Sequence, residues 1–239
     1  MRGRSSRFLR QIAREITPPI LLRGLRRLVT LPGPDSGTQE GGDWGVRDAE
    51  WYDRIYEQPL DYLKHYSQSR YYFLWTVVAD RILRSGARSV LDLGCGPGQF
   101  ATLLRDKGIK EYVGLDFSPR SIAIASKACP EFEFVVEDAL STRHLSNVSY
   151  DAVTALEFLE HVEMDREILQ RIPLGTTFYG TVPNFPYTSH VRHFRNCDEV
   201  GARYREFLTD FEVESFLGNP EGTTYFLFQG VRFGAMRPD

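Results

Sequence analysis

Cysteine is scarce in this chain of 239 residues: there are three, Cys95, Cys129 and Cys197. They are odd in number, far apart and free of any CxxC pair. That excludes a disulfide framework and a thiolate zinc centre, and it points to a reducing cytoplasm. Long apolar runs are missing too. No stretch nears the roughly 20 apolar residues that a bilayer-spanning helix needs. The first residues also lack the uninterrupted apolar segment of a secretory signal. Nor is there a basic excess: the formal charge is −3, with a charged fraction of 26% that is ordinary for a soluble protein. No internal repeat is visible.

What charge there is lies unevenly. Residues 1–31 hold eight arginines (Arg2, Arg4, Arg7, Arg10, Arg14, Arg23, Arg26, Arg27) against one acid, Glu15, a local +7 that leaves −10 on the remainder. An acidic body with a basic arm lacks the basic folded face of a nucleic-acid-binding domain, so nucleic acid is not a favoured partner. Within the arm, Phe8, Leu9, Ile12 and Ile16 share one helical face. Thr17-Pro18-Pro19 stops that helix, and Leu21, Leu22, Leu25, Leu28 and Val29 form a second stripe. Basic amphipathic helices suit either peripheral contact with the inner face of a membrane or docking on the chain's own body. Residues 32–43 read as a Pro/Gly/acid-rich linker. The expected organisation is a basic arm and linker (1–43), a helical cap (44–87) and a main domain (88–239).

In the cap, Trp51, Tyr52, Ile55 and Tyr56 fit one helical face, and Tyr71, Tyr72, Leu74, Trp75 and Val78 another. Such a stripe reads first as core. Helices ahead of a first strand can also cover a ligand crevice, which makes Tyr62, His65, Tyr66 and Tyr71 pocket candidates. From residue 88, strand patterns (Ser89–Leu93, Tyr112–Asp116, Phe132–Glu137, Asp151–Leu156, Thr177–Val182) alternate with helical ones at 98–107, 119–128 and 163–172. Alternation at this spacing implies a parallel sheet with right-handed crossovers. A helix over 198–208 and two strands, Phe211–Phe216 and Tyr225–Phe233, follow. The Gly218-Asn219-Pro220 and Gly222 turn between those strands predicts an antiparallel hairpin.

The densest signal is Val90-Leu91-Asp92-Leu93-Gly94-Cys95-Gly96-Pro97-Gly98, a strand running into a glycine-rich turn and then a helix. Ligands of such sheets bind outside the carboxyl ends of the strands. A dinucleotide fingerprint would need glycine where Gln99 stands, which disfavours a dehydrogenase. Asp116 ends the second strand, where a carboxylate can accept both ribose hydroxyls, and Ser118-Pro119 starts the next helix.

The D-x-G-x-G-x-G pattern resembles motif I of the class I S-adenosylmethionine (SAM)-dependent methyltransferases. The resemblance covers about residues 70–235 and is strongest over 88–162. It implies a Rossmann-like α/β fold: a seven-stranded, mostly parallel sheet in the order 3-2-1-4-5-7-6, an antiparallel last strand, and helices on both faces. It also implies a SAM site. Asp92 would orient the methionine amino end, and Gly94, Cys95, Gly96 and Gly98 would pack against methionine and ribose. Asp138 would accept from the adenine amino group, Ala139 would present its N–H to the ring, and Phe117 and Leu140 would flank it.

After the fourth strand, Glu157-Phe158-Leu159-Glu160-His161-Val162 resembles an E-x-L-E-H segment of the same superfamily. Glu157 would line the cofactor pocket. Many members with this segment need no metal, and metal-free chemistry is the favoured expectation. Small-RNA 2′-O-methyltransferases and some ubiquinone-pathway O-methyltransferases carry a similar segment, and in the RNA enzymes a distant histidine completes a magnesium site. That alternative would use Glu157, Glu160, His161 and His193 or His190. In-line transfer to a hydroxyl needs a base, and a neutral histidine suits pH 7. His193 or His190 is the expected base, with His161 behind. Arg192 and Arg195 could bind an anionic acceptor group.

Ile16-Thr17-Pro18-Pro19-Ile20-Leu21 and the aromatic stretch from Trp51-Tyr52 to Trp75 resemble bacterial methyltransferases associated with surface-polysaccharide synthesis. This implies a sugar hydroxyl on a nucleotide- or lipid-linked glycan as acceptor. A phenolic or quinone-like acceptor and an RNA 3′ end are the alternatives. Intact Asp92, Gly94 and Asp116 speak against a non-catalytic SAM-binding module.

Overall fold

Seven short runs rich in β-branched and aromatic residues form one sheet: β1 (Ser89–Leu93), β2 (Glu111–Asp116), β3 (Glu133–Val136), β4 (Ala152–Leu156), β5 (Thr177–Pro183), β6 (Leu208–Leu217) and β7 (Thr224–Arg232). The computed structural model describes residues 45–55, 61–147 and 150–234. The expected basic arm and linker, and Tyr56, lie outside the described residues. Strand order is β3-β2-β1-β4-β5-β7-β6. The pairs β1/β2, β1/β4, β2/β3 and β4/β5 are parallel, whereas β7 runs antiparallel to both β5 and β6. This is the expected Rossmann-like α/β sheet.

The described helices are α1 (Ala49–Ile55), α2 (Tyr72–Arg84), α3 (Gln99–Asp106), α4 (Pro119–Ala128), α5 (His144–Asn147), α6 (Asp165–Arg171) and α7 (Cys197–Tyr204). Among the described residues, no helix is long and apolar enough to cross a membrane.

Side chains alternate across the sheet as strand geometry requires. Leu91, Leu93, Val153, Ala155, Phe178 and Phe228 face one apolar layer, which α6 and α7 cover. Val90, Tyr112, Ala152, Tyr179 and Leu227 face the other, which α2 and α3 cover. Leu74, Trp75, Val78 and Ile82 of α2 are buried in this second layer, each stabilising the fold by about 1.5–3 kcal/mol through burial. Of the expected stripe, Leu74, Trp75 and Val78 are therefore core, Tyr71 packs against it half-buried, and Tyr72 is exposed. Central β1 is buried along its whole length, as a parallel strand covered on both faces must be.

The carboxyl end of the chain departs from expectation in one place. The helix expected over 198–208 ends at Tyr204, a 3₁₀ turn spans Arg205–Phe207, and β6 begins at Leu208 rather than Phe211. Asp210 takes φ +50 at a bulge between Thr209 and Glu212, which breaks the alternation by which a strand is recognised. The β6–β7 hairpin turns where predicted, with Gly218 N–H donating to Thr223 O at 2.7 Å.

Candidate functional site

The glycine-rich turn leaves β1 with three residues at positive φ: Gly94 (+72), Gly96 (+54) and Gly98 (+80). A Cβ on Gly94 would lie 2.4 Å from Phe158 Cδ2, and one on Gly98 would lie 3.0 Å from Ala125 Cβ in α4. The turn is tied to β2. The N–H groups of Gly94 and Cys95 donate to Leu115 O (2.8 and 2.9 Å), and Gly96 N–H donates to Asp116 Oδ2 (3.0 Å). Ser118 N–H donates to Asp116 Oδ1 (2.9 Å), and Ser118 Oγ caps α4 by accepting from Ser121 N–H (3.0 Å).

Asp92 and Asp116 thus sit at the carboxyl ends of neighbouring interior strands, with Asp92 in register with Gly114. Both are buried, and burial pushes each carboxyl up to about 6 against the hydrogen bonds it receives. Asp92 Oδ2 accepts from the Tyr112 hydroxyl and Oδ1 from the Thr154 hydroxyl, each at 2.6 Å. Asp92 therefore ties β1 to β2 and β4, a part that the motif alone does not reveal. Phe117 lies half-buried against Tyr52 of α1, rings 5.3 Å apart and edge-on. Ala139 is buried, and exposed Asp138 turns one oxygen to Leu140 N–H (2.8 Å).

Residues 45–55 reach over the carboxyl ends of the strands. Gly45 N–H and Arg47 Nη2 each donate to Thr188 O at 3.4 Å. Asp53 of α1 accepts from the Ser118 hydroxyl and from Arg120 N–H.

The turn after β4 carries a second group. Glu157 is held at φ +54, a strained backbone for a residue with a Cβ. Its N–H donates to Thr181 O (3.2 Å) and Thr181 Oγ1 (2.8 Å). Glu157 Oε1 is buried without a partner, and burial pushes the carboxyl up to about 8. Glu160 is fully buried and neither oxygen has a partner. Burial, then the Glu157 charge, raises its pKa well above the usual range.

Two histidines face Glu160. His161 Nδ1 lies 3.0 Å from Ser189 O and 3.2 Å from the Tyr52 hydroxyl, while its Nε2 lies 3.8 Å from Glu160 Oε1. His190 Nδ1 lies 3.1 Å from Phe185 O, and the two imidazole rings meet edge-on at 4.8 Å. A carbonyl can only accept, so both Nδ1 atoms carry the proton and both Nε2 atoms keep the lone pair. Burial pulls His161 down to about 4 and His190 down to about 3, so both are neutral at pH 7. One donor atom each from Glu160, His161 and His190 lies within 4.8 Å of the other two.

Two expectations need correction here. In the 183–195 loop, His190 N–H donates to Tyr187 O (2.8 Å), closing a turn just ahead of the two candidate bases. Of the two candidate bases, His190 joins the cluster, whereas His193 is exposed outside it. Arg192 faces inward to backbone carbonyls, and Arg195 pairs with Glu199 on the surface (2.5 Å). Tyr66 and His65 bond to Asp106 and Ser67, away from the cluster. Sequence reasoning missed Tyr52 as a partner of His161 and Ser189 as its anchor. Ser189 acts through its carbonyl, which no residue type announces.

Residues 91–173 match the family model of the methyltransferase domain. The chain is 30% identical over 105 residues to the ubiquinone biosynthesis O-methyltransferase of Paracidovorax citrulli, covering 40% of this chain and 44% of that relative. It is 30% identical over 125 residues to the trans-aconitate 2-methyltransferase of Klebsiella pneumoniae, covering 51% of this chain and 49% of the relative. The chain thus spans about half the length of the curated relatives it matches. Its fold is similar to an N-methyltransferase from Bradyrhizobium japonicum in complex with S-adenosyl-L-homocysteine (TM-score 0.56, 20% identity, 68% of this chain and 87% of that one). It is also similar to the [4+2]-cyclase SpnF (TM-score 0.60, 17% identity, 79% of this chain and 98% of that one). At these identities the two structures speak for the fold.

Proposed function

We propose that this chain, which belongs through residues 91–173 to the class I SAM-dependent methyltransferase superfamily, is an O-methyltransferase that places an acceptor hydroxyl at the Glu160–His161–His190 cluster. One observation carries the reading. A fully buried carboxyl with two unpartnered oxygens faces two imidazoles with open Nε2 atoms, beside the glycine-rich turn.

The strand tips suit SAM. Each oxygen of Asp116 takes one backbone N–H, and a carboxylate oxygen can accept two bonds, so ribose hydroxyls can share the rest. Phe117 and Leu140 offer apolar walls for an adenine, Asp138 an acceptor and Ala139 an N–H. Gly94, Cys95, Gly96 and Gly98 let the backbone approach a ligand closely, and Glu157 borders the methyl-transfer end. Bound there, SAM supplies an electrophilic methyl group on a sulfonium.

Glu160, His161 and His190, with Glu157 beside them, also fit a divalent cation. Mixed oxygen and imidazole ligation suits manganese, iron or cobalt better than magnesium. Each imidazole N–H is anchored on a backbone carbonyl, which aims Nε2 as outer-shell partners of metal ligands do. A cation held there would lower the pKa of a hydroxyl bound beside it. Without one, neutral His190 or His161 takes the acceptor's proton at Nε2. The orphaned Glu160 oxygens favour the cation.

For the acceptor we favour a sugar hydroxyl on a nucleotide- or lipid-linked glycan. Half-buried Phe185 lies beside the cluster (5.7 Å from His190), with buried Tyr225 packed behind it (6.0 Å). Such faces pack on sugar rings. A lipid-borne acceptor agrees with membrane contact through the basic residues 1–31 on the cytoplasmic side. A phenolic acceptor is the alternative, supported by the ubiquinone-biosynthesis relatives.

Calorimetry with SAM and with NAD tests the cofactor; tight NAD binding without SAM binding would reverse the reading. Labelled SAM offered with nucleotide-sugars, lipid-linked glycans and phenols, with and without chelator, tests acceptor and cation. Turnover indifferent to chelator, with Glu160→Ala tolerated, would remove the cation.

A further inference from the structure

We propose that Arg192 and Asp165 are positioning residues that set the spacing of the Glu160–His161–His190 cluster; this rests on the reading of that cluster as a cation site. Its donors come from two segments, a 3₁₀ turn after β4 (Leu159–His161) and the loop after β5. Neither segment has a helix or sheet ladder to fix it against the other. Side-chain and backbone ties must do so.

Arg192 is the main tie. Only 15% of its side chain is exposed. Its Nη1 donates to Leu159 O (2.5 Å) and to Val162 O, and its Nη2 donates to Glu163 O (2.9 Å). One guanidinium thus binds three carbonyls that bracket Glu160 and His161, from a position two residues after His190. Val191 N–H adds a bond to Glu160 O at 2.8 Å. The sequence had marked Arg192 as an anion-binding group for the acceptor. The inward bonds instead give it to the protein.

Behind Arg192 stands Asp165, which has no exposed surface. Its Oδ2 lies 3.4 Å from Arg192 Nη1. It also accepts from Arg203 (Nε 2.7 Å, Nη2 2.6 Å), from the Tyr204 hydroxyl (2.7 Å) and from Arg166 N–H (2.9 Å). Tyr204 is fully buried and stacks on Phe228 of β7, ring centroids 4.6 Å apart and planes 1° apart. A chain of contacts therefore runs from the sheet core through Tyr204 and Asp165 to Arg192, and from there to the turn. It references the cluster to the buried face of the sheet.

The chemistry explains why arginine stands at this position. A planar guanidinium presents five N–H donors in a fixed fork, enough for three carbonyls and a carboxylate together. Lysine offers three donors from one point and cannot span them. Arg192→Lys keeps the charge beside Asp165 and loses the span. Asp165→Asn keeps the shape and loses the charge that holds Arg192 and Arg203.

The test uses the full chain, with Mn²⁺ affinity and SAM affinity measured separately by calorimetry below the melting temperature of every variant. Co²⁺ absorption spectra report ligand geometry. Arg192→Lys and Asp165→Asn are expected to weaken Mn²⁺ binding about 10–100-fold, the usual effect of losing an outer-shell partner. The Co²⁺ spectrum should shift, and SAM affinity should stay within about twofold, a span of roughly 0.4 kcal/mol. Arg195→Ala, on the surface, should change nothing. A folded Arg192→Lys that binds Mn²⁺ and Co²⁺ as the unaltered protein does would overturn the proposal, even with a lowered melting temperature. If the unaltered protein itself binds no divalent cation in the presence of SAM, the cation reading fails first and this proposal falls with it. Should Arg192→Ala not fold, the lysine and asparagine variants carry the test, with retained SAM binding as proof of folding.

Discussion

Replacing Gly94 by alanine isolates the steric demand of the glycine-rich turn, because a second glycine provides a matched control. Gly94 (φ +72) and Gly86 (φ +80) share the left-handed conformation, which costs a residue with a Cβ about 1 kcal/mol. Their surroundings differ. A Cβ on Gly86, at the end of α2, meets nothing within 4 Å, whereas one on Gly94 would overlap Phe158 Cδ2 at 2.4 Å. Phe158 is half-buried against the core and leads into the turn holding Glu160 and His161, so it moves only by displacing that turn. Overpacking of this kind costs about 1–3 kcal/mol beyond the backbone term. At roughly 2–4 °C per kcal/mol for a chain of this size, Gly86→Ala should lower Tm by about 2–4 °C. Gly94→Ala should lower it by about 4–16 °C. Thermal melts of both variants, alone and combined with Phe158→Ala, check this. The Phe158 substitution should recover the extra loss in the Gly94 background and none in the Gly86 background, as a coupling energy requires. Equal losses in the two glycine variants, or no coupling to Phe158, would refute the steric argument.

Other consequences are simpler to read. On the proposal that Asp116 accepts the ribose hydroxyls, binding needs its ionised form, and burial raises that carboxyl to about 6. SAM affinity should therefore be flat above pH 7 and fall about tenfold per unit below 6, with Asp116→Asn weak at every pH by calorimetry. In the protein without ligands, the raised values of Asp92 and Asp116 favour the folded state while both are protonated. Their contribution to Tm should be fullest below about pH 4 and lost as pH rises through about 6. Tyr112→Phe removes the 2.6 Å hydroxyl bond to buried Asp92 and should cost about 1.5–3 kcal/mol in denaturant unfolding; a loss below about 0.5 kcal/mol would count against that bond. Exposed His193 lies outside the cluster, so His193→Ala should leave Mn²⁺ binding unchanged while His190→Ala abolishes it.

Much of the sheet was legible because parallel strands buried on both faces are short, apolar and bounded by helices of clear period. β1 and α4 match their expected bounds, Ser89–Leu93 and 119–128, because Pro119 and the Ser118 cap mark the helix start without ambiguity. The start of β6 was hidden for a physical reason. The bulge at Asp210 shifts the alternation, so Leu208 looks like the last turn of a helix. In the site, residues that act through side chains at strand tips, such as Asp116 and Glu157, could be found from type and position. Tertiary direction could not. Two histidines three residues apart on one loop are equivalent in sequence, yet one enters the cluster and the other stands in solvent. Arg192 shows the same limit from the opposite side. Its charge and its place near the reaction centre suggested a substrate contact, yet Val162 O and Glu163 O, just past the 3₁₀ turn Leu159–His161, take their donors from its guanidinium. Buried backbone groups are nearly always paired, so an arginine beside a turn that leaves its carbonyls without helix or sheet partners has a structural claim on it before any ligand does. That claim makes the inward orientation of Arg192 a consequence of how the site folds rather than an exception to it.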